Sequence, residues 1–407
     1  MKGLYLERSL GIDIRDDSVG LCLMGKKLRR LEVIGTLWYE GAAPHPGASV
    51  ETENEFITRL GQFLQDHGPA ADPVVVSLPR RFIPLQTFSL PAPDRQTVHS
   101  MVPFEFERHF ATTVTDLMIS HHVVQEGPNQ FRIAAAGLRT ETAEYFLDLL
   151  SRADIHPAVL DVASFTHLNL LYPEETSMRG VEAVLDLSPG EVDITIVKDG
   201  TLELSRTIPF KETSLRKTMH RHDLPREEMD AYVEGLSKTL TEILSVSLNS
   251  CTTLEPEDSI DKIHLVGGGT LAEPLARRLE EDTGAVAEPL QPRGETGRHL
   301  PSDFDPTLLN TALALALRGL KNLTYEVNLL PREKIPASKR ASLRTTLGLS
   351  IILVLMAGAY FGSQAAYNRM TLDSLNAQLE EVKQQVGTLE KVDREFEALA
   401  MFAKRMN

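Results

Sequence analysis

Residues 181–208 read VEAVLDLSPGEVDITIVKDGTLELSRTI, and this stretch decides the fold. Its apolar runs, Val181 to Leu187, Val192 to Val197 and Leu202 to Ile208, have the composition of strands. Ser188-Pro189-Gly190 and Lys198-Asp199-Gly200 between them are turn sequences. A long helix from Glu227 to Leu248 follows, then a strand from Ile263 to Val266, the glycines Gly267 to Gly269, and a helix from about Ala272 to Glu281. The same order occurs nearer the N-terminus. Leu10 to Ile14, Val19 to Met24 and Leu31 to Trp38 read as strands, Thr52 to His67 as a helix with Phe56, Leu60, Phe63 and Leu64 on one face, and Val74 to Leu78 as a strand. Two copies of a three-strand, helix, strand unit predict a duplicated α/β fold with two lobes and a cleft between them.

Roughly 320 residues precede the basic segment discussed below, more than one hydrophobic core usually holds, so two lobes also suit the length. The lobes are expected over 1–160 and 161–320. Pro79, Pro84, Pro91, Pro93 and Pro103 punctuate the first, and Pro103 is expected to start a helix over PFEFERHF, since a first turn tolerates the missing N–H. With strand-like LMISHHVV and FRIAAAGL and a helix over Thr140 to Ser151, residues 79–150 read as an inserted or appended α+β subdomain.

The formal charge of -15 and pI of 5.3 argue against a nucleic-acid partner, which needs concentrated basic charge. The 12 histidines are scattered without zinc-ligand spacing; His121 and His122 would point to opposite faces of a strand. Two cysteines, Cys22 and Cys251, suit a reducing compartment, and MKGLYLERSLGIDIRDD meets acidic residues too early for a signal peptide.

Near the C-terminus, Leu347 to Ala366 read LGLSIILVLMAGAYFGSQAA without Asp, Glu, Lys or Arg. As a helix this run spans about 30 Å, the thickness of a bilayer's hydrocarbon core. A buried core helix is the alternative. Lys321, Arg332, Lys334, Lys339, Arg340 and Arg344 outnumber Glu326 and Glu333 before it, and such a basic flank marks the cytoplasmic side. The expected order is a linker over 321–345, a transmembrane helix over 346–367 and a periplasmic coiled coil over 368–407. In that last segment Leu372, Leu375, Leu379, Val382, Val386 and Leu389 recur at steps of three and four, the seam of a two-stranded coil. Val392 follows after three residues instead of four, which overwinds the coil locally. Pairing with a second chain and docking on another protein as one amphipathic helix are the two readings.

The segments LGIDIRDDSVGLCL, VLDLSPGEVDITIVKDG and IHLVGGGTLAEPLARRLEEDTGAVAE resemble the first phosphate loop, second phosphate loop and adenosine loop of the actin-like (ribonuclease H-like) ATPase superfamily. Within it the resemblance is to the PilM family of type IV pilus assembly and to its relative, the GspL family of type II secretion. The resemblance implies an actin-like two-lobe fold. Nucleotide-binding positions, if retained, would be Asp13, Arg15, Asp186, Ser188, Gly190, Gly267, Gly268 and Gly269. ATP with Mg²⁺ would be the cofactor, the metal held by Asp13 and Asp186 only if the nucleotide binds. Two features depart from the superfamily pattern: Arg15, Asp16 and Asp17 stand where small hydroxyl residues usually follow Asp13, and Ser188 stands at a glycine position. A nucleotide held partly by Arg15 and an inherited pocket that has decayed are the two readings of this departure.

Val327-Asn328-Leu329-Leu330-Pro331 resembles the N-terminal motif of the PilN family, the membrane partner gripped by PilM proteins. The apolar leucines, the amide of Asn328 and the extended conformation that Pro331 imposes on Leu330 suit a docking peptide, whether on its own lobe or on a neighbouring copy. An ordinary linker is the bland reading. As an exposed segment it would add little to the lobes' core, so replacing both leucines by Ala is expected to leave them folded. Relatives usually continue into a small periplasmic domain; either another protein supplies it or this sequence is part of a longer chain.

No nucleophile, base and orienting group share a recognisable pattern. The expected function is that of an inner-membrane platform component of a type IV pilus or type II secretion machine, joining a cytoplasmic assembly ATPase to periplasmic partners. A membrane-anchored ATPase and a transmembrane signal transducer are the alternatives.

Overall fold

The first stretch of chain runs β1 (Glu7–Ile14), β2 (Ser18–Lys27), β3 (Arg30–Glu40), α1 (Val50–His67), β4 (Val74–Ser77), β5 (Leu85–Leu90), α2 (Arg95–His109), β6 (Leu117–Glu126), β7 (Phe131–Arg139), α3 (Thr140–Ser151), β8 (Val159–Asp161) and α4 (Ala163–Leu171). The second runs β9 (Val181–Ser188), β10 (Glu191–Lys198), β11 (Thr201–Pro209), α5 (Arg226–Asn249), β12 (Ile260–Gly267), α6 (Ala272–Thr283), β13 (Val286–Pro289) and α7 (Pro306–Arg318). A single helix, α8 (Lys339–Arg405), follows. The computed structural model describes residues 7–27, 30–41, 43–68, 73–110, 114–172, 180–188, 191–209, 225–251, 253–255, 257–294, 297, 300–335 and 339–405. Met1–Ala337 and Ser338–Asn407 form two separate compact units.

Within the first unit the duplication is explicit. One five-stranded sheet has the order β3-β2-β1-β4-β8 and the other β11-β10-β9-β12-β13, the same path twice. In each, a hairpin pairs antiparallel and the later strands join parallel: Asp13 sits opposite Gly20 on β2 and Ser77 on β4, while Asp186 sits opposite Asp193 on β10 and Val266 on β12. The Lys198-Asp199-Gly200 turn is formed with positive φ at Asp199 (51°) and Gly200 (77°), the conformation that tight hairpins require and that Asp and Gly adopt most cheaply.

Helix α5 buries Val233, Leu236, Leu240 and Leu244 in the second core, and α6 buries Leu275, Ala276 and Leu279. Each such large apolar side chain contributes about 1.5–3 kcal/mol when fully withdrawn from water. Helix α7 follows the second sheet in sequence but packs on the first, where Leu309, Ala312, Leu313, Ala316 and Leu317 join the core around β1 and β2. Gly11 makes this possible: a Cβ there would collide with the Ala312 carbonyl and the Ala316 nitrogen. Asp305 caps α7 by accepting from the Thr307 N–H, and Pro306 occupies the first turn.

The third sheet, β5-β7-β6, carries α2 on a small core of Leu90, Val98, Val102, Phe106, Phe131 and Ile133. Here one sequence expectation is corrected. Helix α2 begins at Arg95, capped by Asp94, and Pro103 lies inside it. The proline removes one backbone hydrogen bond, yet Val98 and Val102 before it and Phe106 after it anchor the helix to the sheet. His121 and His122 do face opposite ways: His121 lies 5.5 Å from the His99 ring, His122 5.2 Å from the Tyr325 ring. Cys22 and Cys251 are buried, free thiols.

Candidate functional site

The end of β1 and the end of β9 face each other across the cleft, as the duplicated path requires. Asp13 is turned inward and accepts from the Ser77 hydroxyl at 2.7 Å. Asp186 reaches the cleft from the second sheet. Between them lies Arg15, carried on the tight β1–β2 turn in which its N–H donates to the Ser18 carbonyl at 3.0 Å. Its guanidinium donates Nε to Asp13 Oδ2 at 2.7 Å, Nη1 to Asp186 Oδ1 at 2.7 Å and Nη2 to Asp186 Oδ2 at 3.3 Å. Nη2 also donates to Thr311 Oγ1 on α7 at 2.8 Å, and His167 Nε2 on α4 lies 2.9 Å from the same hydroxyl. One planar cation thus binds both lobes and the helix behind them, with the forked geometry that arginine offers to carboxylates.

The electrostatics follow from that burial. Burial alone would lower the basicity of Arg15, but the charges of Asp186 and Asp13 overcome it and hold the guanidinium firmly protonated. Burial would raise the Asp186 carboxyl; the charge of Arg15, then His167, and the Arg15 hydrogen bonds outweigh it and bring it below its ordinary value. His167 is pushed down by burial, against the opposing charges of Asp186 and Asp13. Behind this cluster Arg80 Nε lies 3.7 Å from Asp193 Oδ1. Burial pushes Asp193 up to about 6, with Asp186 adding repulsion against the opposing charge of Arg80.

A Mg²⁺-nucleotide does not fit this arrangement. The space bounded by Asp13, Arg15, Asp186, Ser188 and Asp193 is a cavity of about 20 Å³, room for about one water. Arg15 stands between the two carboxylates that would have held the metal side of a triphosphate. Among the described residues no group of three or more His, Cys, Asp or Glu side chains is placed to hold a metal ion. Gly267, Gly268 and Gly269 have φ of 74°, 81° and 49°, so the run is demanded by a left-handed backbone. A Cβ on Gly267 would press on the Leu187 carbonyl and approach Arg15 Nη1 to 3.5 Å. Gly190 lies outside the described residues. Asp16, from the same turn, pairs outward with Arg81 at 2.7 Å.

Sequence reasoning singled out Asp13, Arg15 and Asp186 but missed Ser77, His167, Thr311 and Arg80. A signal existed for two of these: Thr311 and His167 are polar residues inside strongly apolar, buried helices, where a polar group needs a partner.

The second site is the segment after α7. Strand β8 is an edge of the first sheet, and residues 327–330 lie along it. The Leu329 N–H donates to the Leu160 carbonyl at 2.9 Å, and Asn328 Oδ1 accepts from the Leu160 N–H at 3.0 Å. Asn328 Nδ2 donates to the Ala158 carbonyl at 3.0 Å, and the Asn328 N–H donates to Ser120 Oγ on β6 at 3.2 Å. The asparagine side chain therefore imitates backbone and completes an exposed strand edge, the physics of β-strand addition. Asn169 on α4 holds Tyr325 from both sides, accepting from its N–H at 2.9 Å and donating to its carbonyl at 2.7 Å. Pro331 ends the extended run and starts a short turn, Arg332–Lys334, whose Lys334 pairs with Glu144 on α3 at 3.0 Å.

Tyr325, Val327, Leu329 and Leu330 are members of the main hydrophobic core, with Leu329 2 % and Leu330 4 % exposed. This corrects the expectation of an exposed segment that adds little to the core. In this structure the segment lies on its own body.

In the second unit, α8 is long and apolar enough to cross a membrane, within Gly348–Met401. Ile352, Leu353, Val354 and Leu355 are all more than half exposed, and so are the seam residues Leu372, Leu375, Leu379, Val382 and Leu389, with Val386 at 50 %. Among the described residues of this chain nothing covers either surface.

Two sheets of identical order, meeting at a cleft lined by paired acidic strand ends, define the body as an actin-like fold. It is the fold of PilM: the solved PilM-PilN type IV pilus biogenesis complex matches 77 % of this chain and 98 % of its own, with TM-score 0.63 and 19 % identity. The cytoplasmic domain of EpsL, an inner membrane component of the type II secretion system of Vibrio cholerae, matches with TM-score 0.42 and 14 % identity over 80 % of this chain and 99 % of that one. A Bacteroides thetaiotaomicron protein described as having an actin-like ATPase fold gives 0.43 and 10 %, over 77 % and 96 %. No family model matches the sequence, and no curated protein matches it.

Proposed function

We propose that this chain is a single-pass inner-membrane platform component of a type IV pilus or type II secretion machine. In this reading it works by protein–protein contact, joining cytoplasmic motor-side partners to periplasmic ones. The observation that carries the proposal is the seating of residues 325–330 in the body that shares the PilM fold. The same segment leads within a few residues into the apolar helix α8, so one polypeptide is both the gripping body and the gripped membrane anchor. The basic flank of the apolar run supports a cytoplasmic body and a periplasmic seam. The uncovered seam then pairs with a second helix, from another copy or from a membrane partner.

The cleft has structural work in this reading. Arg15 replaces the cation and phosphates as the bridge between lobes, so the body is held in one closed arrangement without nucleotide turnover.

The test is the full chain expressed in a host carrying such a machine, with Glu395→Cys as a reporter on α8. Cys22 and Cys251 are buried and stay silent. Extraction from membranes only by detergent, labelling of the introduced thiol by an impermeant reagent in intact spheroplasts, and co-purification of platform partners are expected. A chain that fractionates as soluble protein, or a reporter thiol reached only after lysis, would refute the proposal.

A further inference from the structure

A cavity of about 500 Å³ lies between the third sheet and β11, on the far side of Arg80 from the interlobe cleft. That is the size of small-molecule sites. Arg80, Arg81, Arg139 and Arg206 line it, with Phe82 and Phe110 on its apolar wall, and no Asp or Glu is among the described residues around it. In a chain of formal charge -15 this concentration of one sign is local and pronounced.

Carboxylates outside the cavity pair with Arg80 and Arg81. Arg81 pairs with Asp16 at 2.7 Å and lies over the Phe82 ring, 4.7 Å from its centroid. Arg206 donates Nε at 3.2 Å and Nη2 at 2.6 Å to a single neutral acceptor, Ser247 Oγ. Among the described residues no carboxylate pairs with it. Arg80 is 4 % exposed; its Nη1 donates to the Ile83 carbonyl, while its buried Nε makes no hydrogen bond and lies 3.7 Å from Asp193 Oδ1. Like charges gathered around one hollow repel, and the arrangement is relieved when an oxyanion accepts from several guanidinium groups at once.

We propose that this cavity is a binding site for a small organic polyanion, one carrying phosphate or carboxylate groups on a body that rests against Phe82 and Phe110. It adjoins the interlobe cleft through Arg80 but differs from it in lining and size, because the cleft space is walled by Asp13, Asp186 and Asp193 and holds about one water. It does not rest on the membrane-platform reading and survives or fails independently of it.

The experiment is calorimetric titration of the purified full chain in detergent with three probes: pyrophosphate, ADP and citrate. Saturable binding of at least one probe is expected, weakening as salt is raised. Preference for pyrophosphate and ADP assigns phosphate chemistry; preference for citrate assigns carboxylate. Arg139→Ala with Arg206→Ala should weaken the binding about tenfold or more. Arg226→Ala, a change of equal charge at an exposed side chain on α5, should leave it unchanged. Should the double variant misfold, Arg139→Ala alone decides, because that side chain is exposed. No saturable binding by any probe, or binding that the cavity variants retain in full, would overturn the proposal.

Discussion

Arg15 Nη1 lies 2.7 Å from Asp186 Oδ1, so a side chain of the first sheet closes the cleft on the second through an ion pair that water barely reaches. The two residues stand 171 positions apart in the chain. Their contact ties the two sheets together across the cleft and makes it a clamp.

Removing the clamp leaves two facing carboxylates without a cation. Arg15→Ala should destabilise the body by about 3–5 kcal/mol, the usual cost of breaking a buried pair from one side. Added Mg²⁺ with ADP should then raise the melting temperature of the variant more than that of the parent. Equal shifts in both proteins would show that Arg15 is not what excludes the nucleotide.

Asp193 sets a pH dependence with a definite sign. Its folded value of about 6 lies above the ordinary 3.8, so the folded state holds this proton more tightly than the unfolded chain. Its ionised form costs stability, a cost absent below about pH 4 and complete above about pH 6. Asp193→Asn keeps an acceptor for the Thr207 hydroxyl and removes the charge. The variant should gain on the parent by on the order of 2 kcal/mol as pH rises from 4 to 7. Melting curves across that range decide it, and a difference that does not vary with pH would rule out this origin.

Asn328→Ala removes the side chain that bonds Leu160 and Ala158 along the edge of β8. We expect a loss of about 2–3 kcal/mol from the seated segment. Hydrogen exchange over residues 323–335 should accelerate while the two large sheets stay protected. Unchanged protection of that segment would show that its leucines alone hold it.

Leu329→Ala with Leu330→Ala, by contrast, should destabilise the body as a whole. Both side chains are core members, and each truncation costs about 2–5 kcal/mol. A parent-like melting temperature would contradict their burial.

The seam on α8 predicts pairing. Val382→Cys, with both native cysteines buried, should form a disulfide-linked dimer in oxidised membranes, and Leu379→Lys with Val386→Lys should abolish it. Failure to cross-link in the parent background would leave the seam to a different protein.

Much of this molecule was legible in local pattern. The strand runs, the turn at Lys198-Asp199-Gly200 and the apolar stretch of α8 are written at intervals of a few residues, where periodicity and turn chemistry act directly. The doubling of the unit follows from reading the same order twice. Pro103 misled because a proline starts helices more easily than it interrupts them, and only the core contacts of Val98, Val102 and Phe106 reverse that preference.

Sequence alone determined that the chain has two related sheets, a long apolar helix and a leucine seam, because each rests on interactions between near neighbours. Tertiary structure decided that Arg15 fills the cleft, that α7 returns to the first sheet over Gly11, and that Asn328 completes the edge of β8. Those outcomes depend on which surfaces meet across more than a hundred residues of chain, and the strength of a buried charge or an edge hydrogen bond is set by what surrounds it after the chain has folded.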